Sequence, residues 1–120
     1  MQPVVYGPAT EKYPQYWVHN LEHGYVVLAY RCPSGVLGQG DCISQADMDG
    51  IQQWYDHAPP PTKSSCATKV LAVRFDSMST PFALMAWDRA LLLDRWQPEQ
   101  AATFAAQWID SPTTPELGIC

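Results

Sequence analysis

The chain has 120 residues, a net charge of −5, 47% hydrophobic residues and 12% aromatic ones. That composition excludes a disordered chain and fits a single domain, 1–120, with one real core. Seven Lys and Arg against twelve Asp and Glu argue against nucleic acid as a partner, and no apolar run approaches the roughly 18 residues of a membrane span.

Residues 1–15 hold three prolines and no periodicity, and read as an irregular lead-in. Their opening, MQPVVYGPAT, has neither the basic start nor the apolar stretch of a secretory signal. YVVLAYRC (25–32) is a continuous apolar, β-branched and aromatic run, the pattern of a strand covered on both faces. PSGVLGQGD (33–41) is a loop with three glycines. Ser44 and Asp47 then form a capping-box start, Ile51, Trp54, Tyr55 and Ala58 recur at helical spacing, and the helix must stop before Pro59-Pro60-Pro61.

KVLAVRF (69–75) is a second buried strand, SMSTP (77–81) a turn and FALMAW (82–87) a third strand. RALLLDRW (89–96) either extends that strand or begins another. Pro98 suits the first turn of a helix whose apolar stripe is Ala101, Phe104, Ala105, Trp108 and Ile109, and SPTTPELGIC (111–120) closes the chain as an irregular tail. The order is β-α-β-β-α. A helix between the first two strands makes them parallel with a right-handed crossover, and the short turn makes the third antiparallel. The fold class is α/β, a small sandwich with helices packed on a mixed sheet, and Trp54, Phe104 and Trp108 are expected to pack on that sheet.

The four cysteines, Cys32, Cys42, Cys66 and Cys120, contain no CxxC pair, which argues against a dithiol redox motif and a zinc ribbon. An even number in loops and at the terminus points to disulfides and an oxidising compartment. With parallel first and second strands, Cys32 and Cys42 lie on one side of the sheet and Cys66 on the other. The expected pairs are Cys32–Cys42 and Cys66–Cys120.

The residues that bear most on function are in YWVHNLEHGYVVLAY (16–30), where His19, Glu22 and His23 run straight into the first strand. Two residues at i, i+4 sit about 6 Å apart on a helix but roughly 13 Å apart on a strand. A metal shared by His19 and His23 therefore requires a helical turn or compact loop over 19–23, and Gly24 is the residue that ends such a turn. HNLEH also fits the H-x-x-E-H pattern of some zinc proteases, but those histidines ride a long helix, and here Gly24 and a strand follow at once. The bland alternative is that these are hydrogen-bonded scaffold residues, with Glu22 orienting His23. Met78 and Met85 are possible further ligands, although Met85 lies mid-strand, where core packing is the ordinary role. His57 belongs to a helix C-terminus, and Asp88 and Arg89 read as a surface pair. No Ser/His/Asp set, phosphate loop or nucleotide motif is present.

HNLEHG (19–24) followed by Val26, Val27 and Tyr30, then Ala86-Trp87-Asp88-Arg89, an apolar helix through Phe104–Ile109 and a closing Pro115-Glu116, resemble the bacterial family catalogued as domain of unknown function 3105. The likeness runs from about residue 4 onward. Two features depart from the family pattern. An upstream element with another His has no counterpart here, and the glycine of the AWGR element is Asp88. Relatives commonly follow a signal or membrane anchor, so the resemblance implies an extracytoplasmic protein, with any anchor outside this chain.

Three functions stay open at this point. The first is an extracytoplasmic domain binding copper or zinc through His19 and His23, with Glu22 as third ligand or as an orienting group, since imidazole suits both metals. The second is a metal-dependent enzyme with Glu22 as acid/base. The third is a metal-free scaffold or interaction domain.

Overall fold

A computed structural model describes residues 1–120. In chain order the elements are α1 (Pro14–Glu22), β1 (Val26–Tyr30), α2 (Gln45–Asp56), β2 (Val70–Arg74), β3 (Phe82–Ala86), β4 (Arg89–Leu93) and α3 (Pro98–Trp108). The strands form one sheet in the order β2-β1-β3-β4. β1 and β2 are parallel, with Val26 opposite Val70 and Tyr30 opposite Arg74. β3 runs antiparallel to β1, and β4 antiparallel to β3. The α/β sandwich and mixed sheet expected from the sequence are present.

The apolar runs at 26–30 and 70–73 are fully buried because both faces of the sheet are covered. Val26, Leu28 and Tyr30 point into the larger core, which Ile51 and Trp54 of α2 and Ala101, Phe104 and Ala105 of α3 complete. Val27, Ala29, Leu71 and Val73 point the other way and pack with Trp17 of α1 and Tyr25. Trp108 is only half-buried, with the Arg89 guanidinium 4.7 Å from its ring centroid. The expected capping box opens α2: Ser44 Oγ accepts from the Asp47 N–H at 3.0 Å, and Asp47 Oδ2 accepts from the Ser44 N–H at 3.2 Å.

The lead-in differs from the sequence reading in two ways, and the alternative left open at 89–96 resolves to a separate strand. The lead-in ends sooner than residue 15, because Pro14 takes the first helical position of α1. Val5 also bridges Ala72 in parallel, so part of the lead-in extends the sheet beyond β2. RALLLDRW begins a new strand, and the two-residue connection Trp87-Asp88 turns the chain with Asp88 at φ 55°. A tight hairpin needs a positive φ there, which Asp tolerates better than most side chains. No helix is long and apolar enough to cross a membrane.

Both disulfides form as expected, Cys32–Cys42 and Cys66–Cys120, and no cysteine is free. The second joins residues 54 apart in sequence. In the chain-entropy picture a loop of that length constrains the unfolded chain by about 4 kcal/mol.

Candidate metal centre

α1 places the two histidines. Its inner face buries Trp17, whose Nε1–H donates to the Lys12 carbonyl at 2.9 Å, and Asn20, whose side chain bonds the Met1 ammonium and carbonyl at 2.7 and 2.8 Å. His19 and His23 project from the opposite side, one turn apart. Their ring centroids are 4.3 Å apart and inclined by 60°. Residues 19–22 are the last turn of α1 and His23 is its C-cap, so segment 19–23 is the compact helical turn that a shared metal requires.

The helix ends sharply behind them. The N–H groups of His23 and Tyr25 both donate to the Asn20 carbonyl, and Gly24 N–H donates to Leu21, with Gly24 at φ 91°. Below this turn lies a buried ion pair. Lys69 Nζ stands 2.7 Å from Asp110 Oδ1, with neither side chain exposed. Lys69 also donates to the His23 carbonyl, and Asp110 N–H donates to the Gly24 carbonyl at 3.0 Å. The other carboxylate oxygen accepts from the Lys63 N–H and the Ser64 hydroxyl at 3.0 and 3.1 Å. Charges withdrawn from water need this full set of partners. The pair thus clamps the turn that carries His23. Burial, reinforced by the Asp110 charge, pushes the neighbouring Tyr25 hydroxyl above its ordinary pKa.

Asp110, at φ 54°, also redirects the chain after α3. The tail returns over α1, where Glu116 N–H donates to the Glu22 carbonyl at 2.9 Å. This brings Glu116 Oε2 to 2.8 Å from His23 Nε2. One donor atom each from His19, His23 and Glu116 falls within 4.8 Å of the other two. Atoms bound tetrahedrally at about 2 Å from one ion would stand roughly 3.4 Å apart, so the 2.8 Å His23–Glu116 contact would open and the longer separations to His19 would close. His19 provides that adjustment, since its side chain is 68% exposed and free to rotate, whereas that of His23 is 14% exposed. Two imidazoles and a carboxylate on an open surface leave a fourth position for water or another ligand.

The carboxylate that joins both histidines is Glu116. Glu22, the residue expected from the sequence, places Oε1 3.8 Å from His19 Nδ1 and stands outside the trio. Met78 and Met85 pack against the smaller core cluster. His57 caps the C-terminus of α2, with Nδ1 2.8 Å from the Gln53 carbonyl, and Asp88 pairs with Arg89 at 3.6 Å. Glu116 escaped spacing arguments because 93 residues separate it from His23 (116 − 23). Its one trace in the sequence is the closing Pro115-Glu116.

No curated protein and no solved structure matches the chain. The family described as "Protein of unknown function (DUF3105)" matches residues 2–120, so all three donors and the clamp beneath them lie inside it, and the chain belongs to that family.

Proposed function

We propose that this chain is an extracytoplasmic metal-binding domain that holds copper or zinc through His19, His23 and Glu116. The observation that carries the reading is the convergence of two helical imidazoles with a carboxylate brought from the far end of the chain. Imidazole and carboxylate donors suit divalent zinc or copper. All four cysteines are taken up in disulfides, so no thiolate is offered to a softer ion, and the disulfides fit an oxidising compartment. The surface clefts are lined by other residues, which favours holding an ion over enclosing an organic substrate. The competing enzyme reading keeps Glu22 as acid/base beside His19. The scaffold reading takes the His23–Glu116 contact as a hydrogen bond and nothing more.

Calorimetric titration of tag-free protein with zinc and copper tests this. Binding is expected at one site per chain, weakening as pH falls because protons compete for the imidazoles. His19→Ala, His23→Ala and Glu116→Gln each lose most of it, while Glu22→Gln and His57→Ala keep it. Equal binding by wild type and His23→Ala refutes the site, and loss of binding in Glu22→Gln returns that residue to the ligand set.

A further inference from the structure

The three donors are not held alike. His19 and His23 ride on α1, whereas Glu116 lies in the last ten residues, which contain neither helix nor strand. Ser111 and Thr114 anchor the start of that tail by burial, but every residue from Pro115 to Cys120 is exposed. What holds this exposed end is small: the Glu116 N–H to the Glu22 carbonyl, the Glu116 carboxylate to His23 Nε2 at 2.8 Å, the Tyr25 hydroxyl to the Cys120 carbonyl at 3.0 Å, and one covalent bond, Cys66–Cys120. Glu116 thus sits between a buried anchor and a disulfide.

The two disulfides also differ in access. Cys32 is completely buried in the larger core, and its partner Cys42 is half-buried. Cys120 is exposed and Cys66 is half-buried. Thiol–disulfide exchange requires a thiolate to reach a sulfur, so the bridge at the tail is the one that a reductant meets first.

We propose that Cys66–Cys120 is a redox latch on the metal centre: opening it releases the arm that carries Glu116 and lowers the affinity for the ion. The inference rests on the metal-binding reading above. The co-reactant is a dithiol. One of its thiolates attacks a bridge sulfur, the Cys66–Cys120 bond breaks and a mixed disulfide forms. The second dithiol sulfur then displaces the remaining cysteine. Two electrons and two protons pass to the Cys66 and Cys120 sulfurs, which end as thiols, and the dithiol ends as a disulfide. His19 and His23 remain on α1, so the open form is a weaker two-donor site. Losing a pre-positioned donor lowers its effective concentration at the ion, and an affinity loss of about tenfold or more is expected. By linkage the ion must resist opening equally. A tenfold coupling moves the reduction midpoint of this two-electron bridge about 30 mV more negative in saturating zinc.

Zinc is the probe, because it undergoes no redox change itself. The latch is opened in two ways, by limited reduction with alkylation of Cys66 and Cys120 and by the Cys66→Ser/Cys120→Ser variant, each checked for retained circular dichroism. Both open forms are expected to bind zinc about tenfold or more weakly than the oxidised protein. Glu116→Gln should weaken the oxidised protein but add little in either open form. The reduction midpoint of the wild-type bridge, with and without zinc, supplies a reading even where the serine variant fails to fold. Equal zinc affinity in closed and open forms, with Glu116→Gln weakening both, overturns the latch and leaves the metal site standing. A midpoint unmoved by zinc also overturns it. Unchanged binding by oxidised His23→Ala overturns the metal site and the latch together.

Discussion

Gly24→Ala is the sharpest test of how the site is supported. Gly24 holds φ 91°, where an L side chain is strained, and a Cβ there would lie 2.6 Å from Asp110 Oδ1 and 3.1 Å from Asp110 Cα. Neither neighbour can yield cheaply. The carboxylate is fixed by Lys69, Lys63 and Ser64, and the backbone of Asp110 bonds Gly24 itself. The positive φ alone costs about 1–2 kcal/mol. Breaking a buried ion pair by removing a partner costs about 3–5 kcal/mol, and pushing Asp110 aside forfeits part of that. The sum is a destabilisation of about 3–5 kcal/mol, a large fraction of the 5–15 kcal/mol typical of a whole domain. Urea unfolding followed by tryptophan fluorescence measures it, with an unchanged m-value showing that the comparison is fair. The variant should also bind metal poorly at temperatures where it remains folded, because His23 precedes the distorted turn. A loss below about 1 kcal/mol would refute the claim that Asp110 locks Gly24 in place.

Trp54→Ala is expected to cost about 3–5 kcal/mol in the same assay, since Trp54 is 6% exposed and donates to the Ala101 carbonyl. Trp108→Ala should cost only about 1–2 kcal/mol, because that ring is half-buried under Arg89; equal losses would contradict the helix packing. The hydrogen-bonded guanidinium of Arg74, helped by the Cys32 N–H, holds the Asp76 carboxyl below its ordinary range. A lowered carboxylate contributes stability above its unfolded pKa and loses it as pH falls through the folded one. The stability difference between wild type and Asp76→Asn should therefore shrink on acidification below about pH 4. A difference independent of pH would assign that contact no role in acid unfolding.

What could be read from sequence follows from how completely each element is buried. β1 and β2 are covered on both faces, so they appear as unbroken β-branched runs, and their parallel pairing already separates Cys32 and Cys42 from Cys66. α1 was harder to see. Only Trp17 and Asn20 of its nine residues are buried, so no apolar stripe marks it. β4 is an edge strand in which only Leu93 is buried, so its leucines show no clean alternation. The ion pair beneath Gly24 was illegible for another reason. A single Lys opening a strand and a single Asp ending a helix each look exposed until their partner, 41 residues away, is known.

His19 is the residue that separates a metal centre from a scaffold. His23 and Glu116 satisfy one another at 2.8 Å and need no ion to justify them. His19 has no such partner: its nearest acid, Glu22, is 3.8 Å away, and its side chain is 68% exposed. A scaffold gains almost nothing from an imidazole there, and exposed substitutions of that kind usually change stability by no more than about 0.5 kcal/mol. A metal centre needs it, because without His19 one imidazole and one carboxylate remain. In the metal titration His19→Ala should thus leave the metal-free protein as stable as wild type. It should remove most of the stabilisation that zinc confers, about 2.7 kcal/mol at a hundredfold excess over Kd. If zinc stabilises His19→Ala as much as wild type, the ion is held elsewhere, and the neighbouring histidines at the end of α1 belong to the scaffold.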